Sequence, residues 1–170
     1  MKVFLYIALV FCVFSCKDAA KTPVIETETE ETASQITKED ISALKYDQFI
    51  LDRKRQNSDK FWQKYTELDE IVLQVQQADF SFFKGNNEIL NAFIKDLKES
   101  LPSEFDTPHI QARLVALETK MLKLEGVMNL SNPKKKEVLL VLRDFLSAFS
   151  NLNLQMNKKI ERESQNIQKP

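Results

Sequence analysis

Apolar residues recur along this chain at alternating spacings of three and four, in four separate stretches. The first runs Phe61, Tyr65, Leu68, Val72 and Val75, with Phe82 continuing the register. The second is Leu90, Ile94, Leu97 and Leu101, with Phe93 beside it. The third is Ile110, Leu114, Leu117, Met121, Leu124 and Met128. The fourth is Val138, Leu142, Phe145, Phe149, Leu152 and Met156, extended by Ile160 and Ile167. Such a period puts every stripe on one side of a helix, so each stretch predicts an amphipathic helix burying one face against its neighbours.

Breaks fall between the stripes. Gly85-Asn86-Asn87 is a stop and restart, Pro102 ends the second helix, Thr107-Pro108 supplies an N-cap and first turn, and Asn132-Pro133 opens the last helix. Upstream, Thr37 with Glu39 and Asp40 predicts an additional start, followed by a loose apolar face of Ile41, Leu44 and Phe49-Ile50-Leu51. The run DRKRQNSDK holds no Pro or Gly, so this piece either joins the next as one bent helix or breaks near Asn57-Ser58. Short connections imply antiparallel neighbours. The expected fold is all-α, an antiparallel up-and-down bundle of four to five helices over residues 37–167.

Residues 16–36 read differently. The stretch TPVIETETEETAS has no periodic large apolar residues, so burial cannot offset the entropy of ordering it. A disordered acidic tether is expected, with a coil span of about 25 Å. Before it, Lys2 precedes an uncharged, mostly apolar run from Val3 to Ser15. As a helix this run is too short to cross a hydrocarbon core of about 30 Å, and a basic start before a short apolar run is the layout of an export signal. The run ends Val13-Phe14-Ser15-Cys16 and turns polar at once with Lys17-Asp18.

Those residues resemble the lipobox of bacterial lipoproteins, with an aliphatic residue three before the cysteine and a small one just before it. Cys12 is the competing candidate, but it follows the bulky Phe11. The resemblance implies removal of residues 1–15, a diacylglycerol on the Cys16 sulfur and often acylation of its new amino group. Each buried CH₂ contributes about 0.8 kcal/mol, and two or more chains hold stably where one is marginal. Lys17 stands where an Asp would favour inner-membrane retention in enterobacterial relatives, so the resemblance favours the outer membrane. The Cys-Lys-Asp start is also similar in part to the sorting tags of surface lipoproteins from Bacteroidetes. The resemblance implies a membrane as partner, through lipidated Cys16; another envelope protein is expected as a further partner.

Composition narrows the activity. Net charge is -1, which gives no field to steer nucleic acid. Of the 2 cysteines, cleavage would leave Cys16 alone, excluding an internal disulfide and thiolate metal sites. With 2 glycines a phosphate cradle is hardly possible, and with 1 histidine, His109, a di-iron bundle is excluded. His109 follows Pro108 in a first turn and reads as a surface or cap residue. Met121, Met128 and Met156 lie on core stripes and read as filler, not as haem ligands. No catalysis and no cofactor are expected.

Candidate contact residues are few. Trp62, Phe82 and Phe83 make one segment unusually aromatic, and aromatics both cap cores and anchor interfaces. Lys134, Lys135 and Lys136 crowd a helix N-terminus, the unfavourable end for cations, and read as a solvated corner, with a contact to anionic lipid or lipopolysaccharide as the alternative. Arg53-Lys54-Arg55 reads as a solvated face. Asn151, Asn153, Gln155 and Asn157 surround Leu152, Leu154 and Met156, where amides fix helix register or line a polar pocket. The function expected is a non-catalytic, lipid-anchored interaction or scaffold module. A small-molecule-binding or sensory bundle, or a periplasmic chaperone-like protein, is the alternative.

Overall fold

The computed structural model describes residues 36–52, 61–85 and 87–165. Cys16, the acidic tether as far as residue 35, the Arg53-Lys54-Arg55 cluster and Ile167 lie outside the described residues, whereas Ile36, placed by sequence at the end of the tether, is apolar and buried in the core. The fold is all-α: α1 (Lys38–Ser42), α2 (Gln63–Gln76), a 3₁₀ turn (Ser81–Phe83), α3 (Asn87–Glu99), α4 (Pro108–Met128) and α5 (Lys135–Ser164). No helix among the described residues is long and apolar enough to cross a membrane.

Helix ends follow their capping chemistry. Thr37 and Asp40 form a reciprocal capping box at α1, with the Thr37 N–H donating to Asp40 Oδ2 at 2.9 Å. At α4 the Thr107 hydroxyl accepts from the Ile110 N–H at 3.4 Å, and Pro108 occupies the first turn, where its missing N–H costs nothing. Trp62 precedes α2, and its indole Nε1–H donates to Ser100 Oγ at 3.0 Å just beyond α3. Asn129, at the end of α4, donates to the Phe83 carbonyl at 2.8 Å and accepts from the Gly85 N–H at 3.0 Å. That amide stitches the α2–α3 connection to the α4 terminus, and Gly85 takes φ +92°, which a side chain would resist.

Cross-helix contacts set the topology. Trp62 reaches Ser100 while Lys64 reaches Asp96 at 4.0 Å, so α2 and α3 run oppositely. Lys98 pairs with Glu118 at 2.9 Å, and Lys120 with Asp144 at 3.0 Å, joining α3 to α4 and α4 to α5. These pairs are partly exposed and contribute about 1 kcal/mol or less each. The core does the larger share. Leu90, Ile110, Leu117, Met121, Leu124, Val138, Leu142, Phe145, Leu152 and Met156 are all buried. The stripes read from spacing therefore face inward as expected.

Two segments depart from the expected helices. Helix α1 ends at Ser42, and no helix forms over residues 44–52; that piece is not the start of a long bent helix. Three consecutive apolar residues, Phe49-Ile50-Leu51, cannot share one helical face, and here Leu51 is buried while Ile50 is 74% exposed. Nor does Phe82 continue the α2 register. The helix stops at Gln76 and Ala78 adopts φ 63°, with the Asp79 N–H donating to the Gln74 carbonyl and the Ala78 N–H to the Val75 carbonyl, both at 3.0 Å. This is the Schellman stop, which normally uses glycine. The chain then reverses and drives Phe80 and Phe83 into the core.

An alanine in the left-handed region carries about 1–2 kcal/mol of strain, partly offset because glycine loses more entropy on folding. Ala78→Gly is expected to stabilise the protein by about 0.5–1 kcal/mol, read as a raised urea midpoint with an unchanged m-value.

Candidate functional site

A helix gives its peptide groups partners from within, whereas an extended segment must find them elsewhere. Residues 44–52 find theirs on α5. The Phe49 N–H donates to Ser150 Oγ at 2.7 Å, and the Ser150 hydroxyl donates to the Asp47 carbonyl at 2.6 Å. The Asn153 amide donates to the Phe49 carbonyl at 3.0 Å. One turn further on, the Asn157 amide donates to the Ile50 carbonyl at 2.8 Å and its oxygen accepts from the Asp52 N–H at 3.3 Å.

Ser150, Asn153 and Asn157 sit at i, i+3 and i+7 on one helical face and span about 10 Å. From that face they reach strap residues from Asp47 to Asp52, so a single stripe of α5 holds the whole stretch. Of the amides singled out by sequence, Asn153 and Asn157 hold the extended strap, while Asn151 is exposed. Ser150, which the sequence reading passed over, is buried as the first rung of the ladder.

Asn153 also faces α2. Its oxygen accepts from the Tyr65 hydroxyl at 2.7 Å, deep in the interior. The Tyr65 ring stacks on Phe149 with centroids 5.9 Å apart and meets Phe61 edge-on at 5.5 Å. One amide therefore joins the strap, α2 and α5. Ahead of the strap, α1 is tied to the start of α5, where Lys135 pairs with Asp40 at 3.1 Å. The Thr37 N–H first, and the Lys135 ammonium second, hold the Asp40 carboxyl below its ordinary range.

Between the strap, α2 and α5 lies a cleft of about 290 Å³. From α2 it takes Asp69, Val72, Leu73 and Gln76, again at i, i+3, i+4 and i+7. Leu146 and Phe149 line it from α5, and Phe49, Ile50 and Leu51 from the strap. Asp69 is partly buried, and no side-chain hydrogen bond or ion pair reaches its carboxylate among the described residues. Desolvation first, and the neighbouring Glu70 charge second, raise its pKa above the ordinary value of 3.8. Phe49, Ile50 and Leu73 are exposed beside it, giving the mouth an apolar rim.

The other candidate residues are dispersed. Trp62 and Phe83 are buried, and Phe82 packs edge-on to Phe83 and Phe93 at 5.2 and 5.4 Å. Trp62 and Phe83 thus belong to the core, and Phe82 is half-buried against it. Lys134 and Lys136 are exposed at the α5 N-terminus, and Lys135 turns to Asp40. His109 is exposed in the first turn of α4, and Met121, Met128 and Met156 are packed in the core. Among the described residues no group of three or more His, Cys, Asp or Glu side chains is placed to hold a metal ion. Comparison with protein-family models, with curated proteins and with solved structures finds no match. No relative therefore lends this cleft a function.

Asp69 is placed at a cost to the fold. Its raised pKa means the folded state binds the proton more tightly than the unfolded state, so the ionised carboxylate destabilises above that pKa and ceases to do so as pH falls through it. Asp69→Asn is expected to raise stability at pH 7 by about 0.5 kcal/mol, allowing for solvent screening. The gain should vanish in thermal unfolding below the ordinary Asp pKa of 3.8.

Proposed function

We propose that this protein is a non-catalytic interaction module of a bacterial cell envelope, anchored through lipid on Cys16 and presenting the strap face of its bundle to a partner protein. The anchor half of the reading rests on the Val13-Phe14-Ser15-Cys16 stretch and its resemblance to a lipobox. The acidic stretch that follows would carry the bundle clear of the lipid surface, with the outer membrane the favoured site.

The binding half rests on one observation: Phe49, Ile50 and Leu73 stand exposed around a single cleft. Isolated exposed apolar residues are ordinary, but a cluster at the mouth of a concavity is where partners and ligands dock. Around it the backbone is held by the Ser150–Asn157 ladder, so the surface is presented without the entropy cost of ordering a loop. A ligand-binding bundle is the second reading, and the same cleft favours it.

Two measurements test the proposal. Intact mass of the protein from its native envelope should begin at Cys16 and carry acyl chains; residues 1–15 still attached, or Cys16 bare, would overturn the anchoring. A photoreactive side chain at Ile50 should crosslink one discrete envelope protein that the same probe at exposed Lys123 does not. Equal labelling from both positions would overturn the assignment of the strap face.

A further inference from the structure

The cleft combines three features that together specify a ligand. The first is size: about 290 Å³ is twice the roughly 150 Å³ pocket that admits benzene, which suits a molecule of about a dozen non-hydrogen atoms. The second is an apolar lining, with Val72 and Leu73 from α2 and Leu146 and Phe149 from α5. The third is the Asp69 carboxylate, which lines the same space with no donor reaching it among the described residues.

A carboxylate that loses hydration and gains no partner is unfavourable in a fold, and buried ions are normally paired. The other polar groups lining it, Tyr46, Gln48, Gln76, Ser150 and Asn153, are uncharged. Ser150 and Asn153 spend their hydrogen bonds on the strap and on Tyr65. Asp69 is thus the one charged group lining the cleft among the described residues. An anion would be repelled, a neutral apolar molecule would leave the carboxylate unpaired, and an ammonium would pair with it while its body covers the apolar walls.

We propose that this cleft binds an organic ammonium with a compact apolar body, its nitrogen donating to the Asp69 carboxylate. The inference deepens the strap-face reading and does not depend on the lipid anchor. The same ammonium could arrive as a free amine or as the lysine of a partner, with the apolar rim of Phe49, Ile50 and Leu73 receiving what flanks it.

The probes are three molecules of nearly one shape: phenethylammonium, 2-phenylethanol and 3-phenylpropanoate. They are titrated into the full-length chain in detergent, against a detergent blank, with calorimetry as the readout. Phenethylammonium should bind about five- to tenfold more tightly than the alcohol, and the carboxylate more weakly than either. Asp69→Asn should abolish that preference and Asp69→Glu should keep it, with circular dichroism confirming that both variants fold. A capped Leu-Lys-Leu peptide is the second arm, and tighter binding than phenethylammonium would mark a partner's lysine as the source. No binding in either arm, equal binding of amine and alcohol, or a preference that survives Asp69→Asn would overturn the proposal. Crosslinking from Ile50 can succeed while this titration fails, so the two readings fall separately.

Discussion

A non-helical backbone laid against a helical bundle must have its inward peptide groups answered by side chains, and this constraint organises the molecule. The strap has no neighbouring strand among the described residues. Its N–H and C=O groups would each cost about 1–3 kcal/mol if shut away from water unpaired. Helix α5 supplies the partners through Ser150, Asn153 and Asn157, which are short side chains able to donate and accept. Asn153 is the hinge point of the arrangement, because its NH₂ serves the strap while its oxygen accepts from the Tyr65 hydroxyl and fixes α2 against α5.

The cleft follows from the same choice. A helix with its side chains is about 10 Å across, whereas a strand occupies roughly half that width. Where an extended segment lies in the seam between two helices, the space beneath it is not filled. Here that space receives Leu146 and Phe149 on one side and Asp69 on the other. The strap that the polar ladder holds forms one wall of this cleft, and Asp69, which no partner reaches among the described residues, is the feature whose presence stability alone does not explain. Protein sites that bind ligands commonly carry such a local cost.

Much of this architecture is legible in the sequence, and the parts that are not fail for identifiable reasons. The stripes of α3, α4 and α5 are read from spacing because helical period and burial coincide there; Leu117, Met121 and Leu142 are all fully buried. The caps at Thr37 and Thr107 are local chemistry and are read equally well. The strap is misread as a helical face because Ile41 and Leu44 happen to suit that period, although Phe49-Ile50-Leu51 in succession fits the alternating faces of an extended chain better. Phe82 is misplaced because a left-handed alanine is invisible in a sequence where glycine would announce the stop. Asn153 and Asn157 stand out as amides within an apolar stripe, and adding Ser150 at i, i+3, i+7 would have revealed the ladder. Asp69 carries no such signal: it is one acid among many until the fold leaves it without a partner.

Amide hydrogen exchange at Phe49 tests the ladder most directly. The residue lies outside any helix, yet its N–H is held by Ser150 Oγ at 2.7 Å. The account predicts exchange at Phe49 as slow as in the α5 core, and release of that protection in Ser150→Ala while the core amides remain slow. Exchange at Phe49 as fast as at an exposed loop amide in the unmodified protein would contradict it.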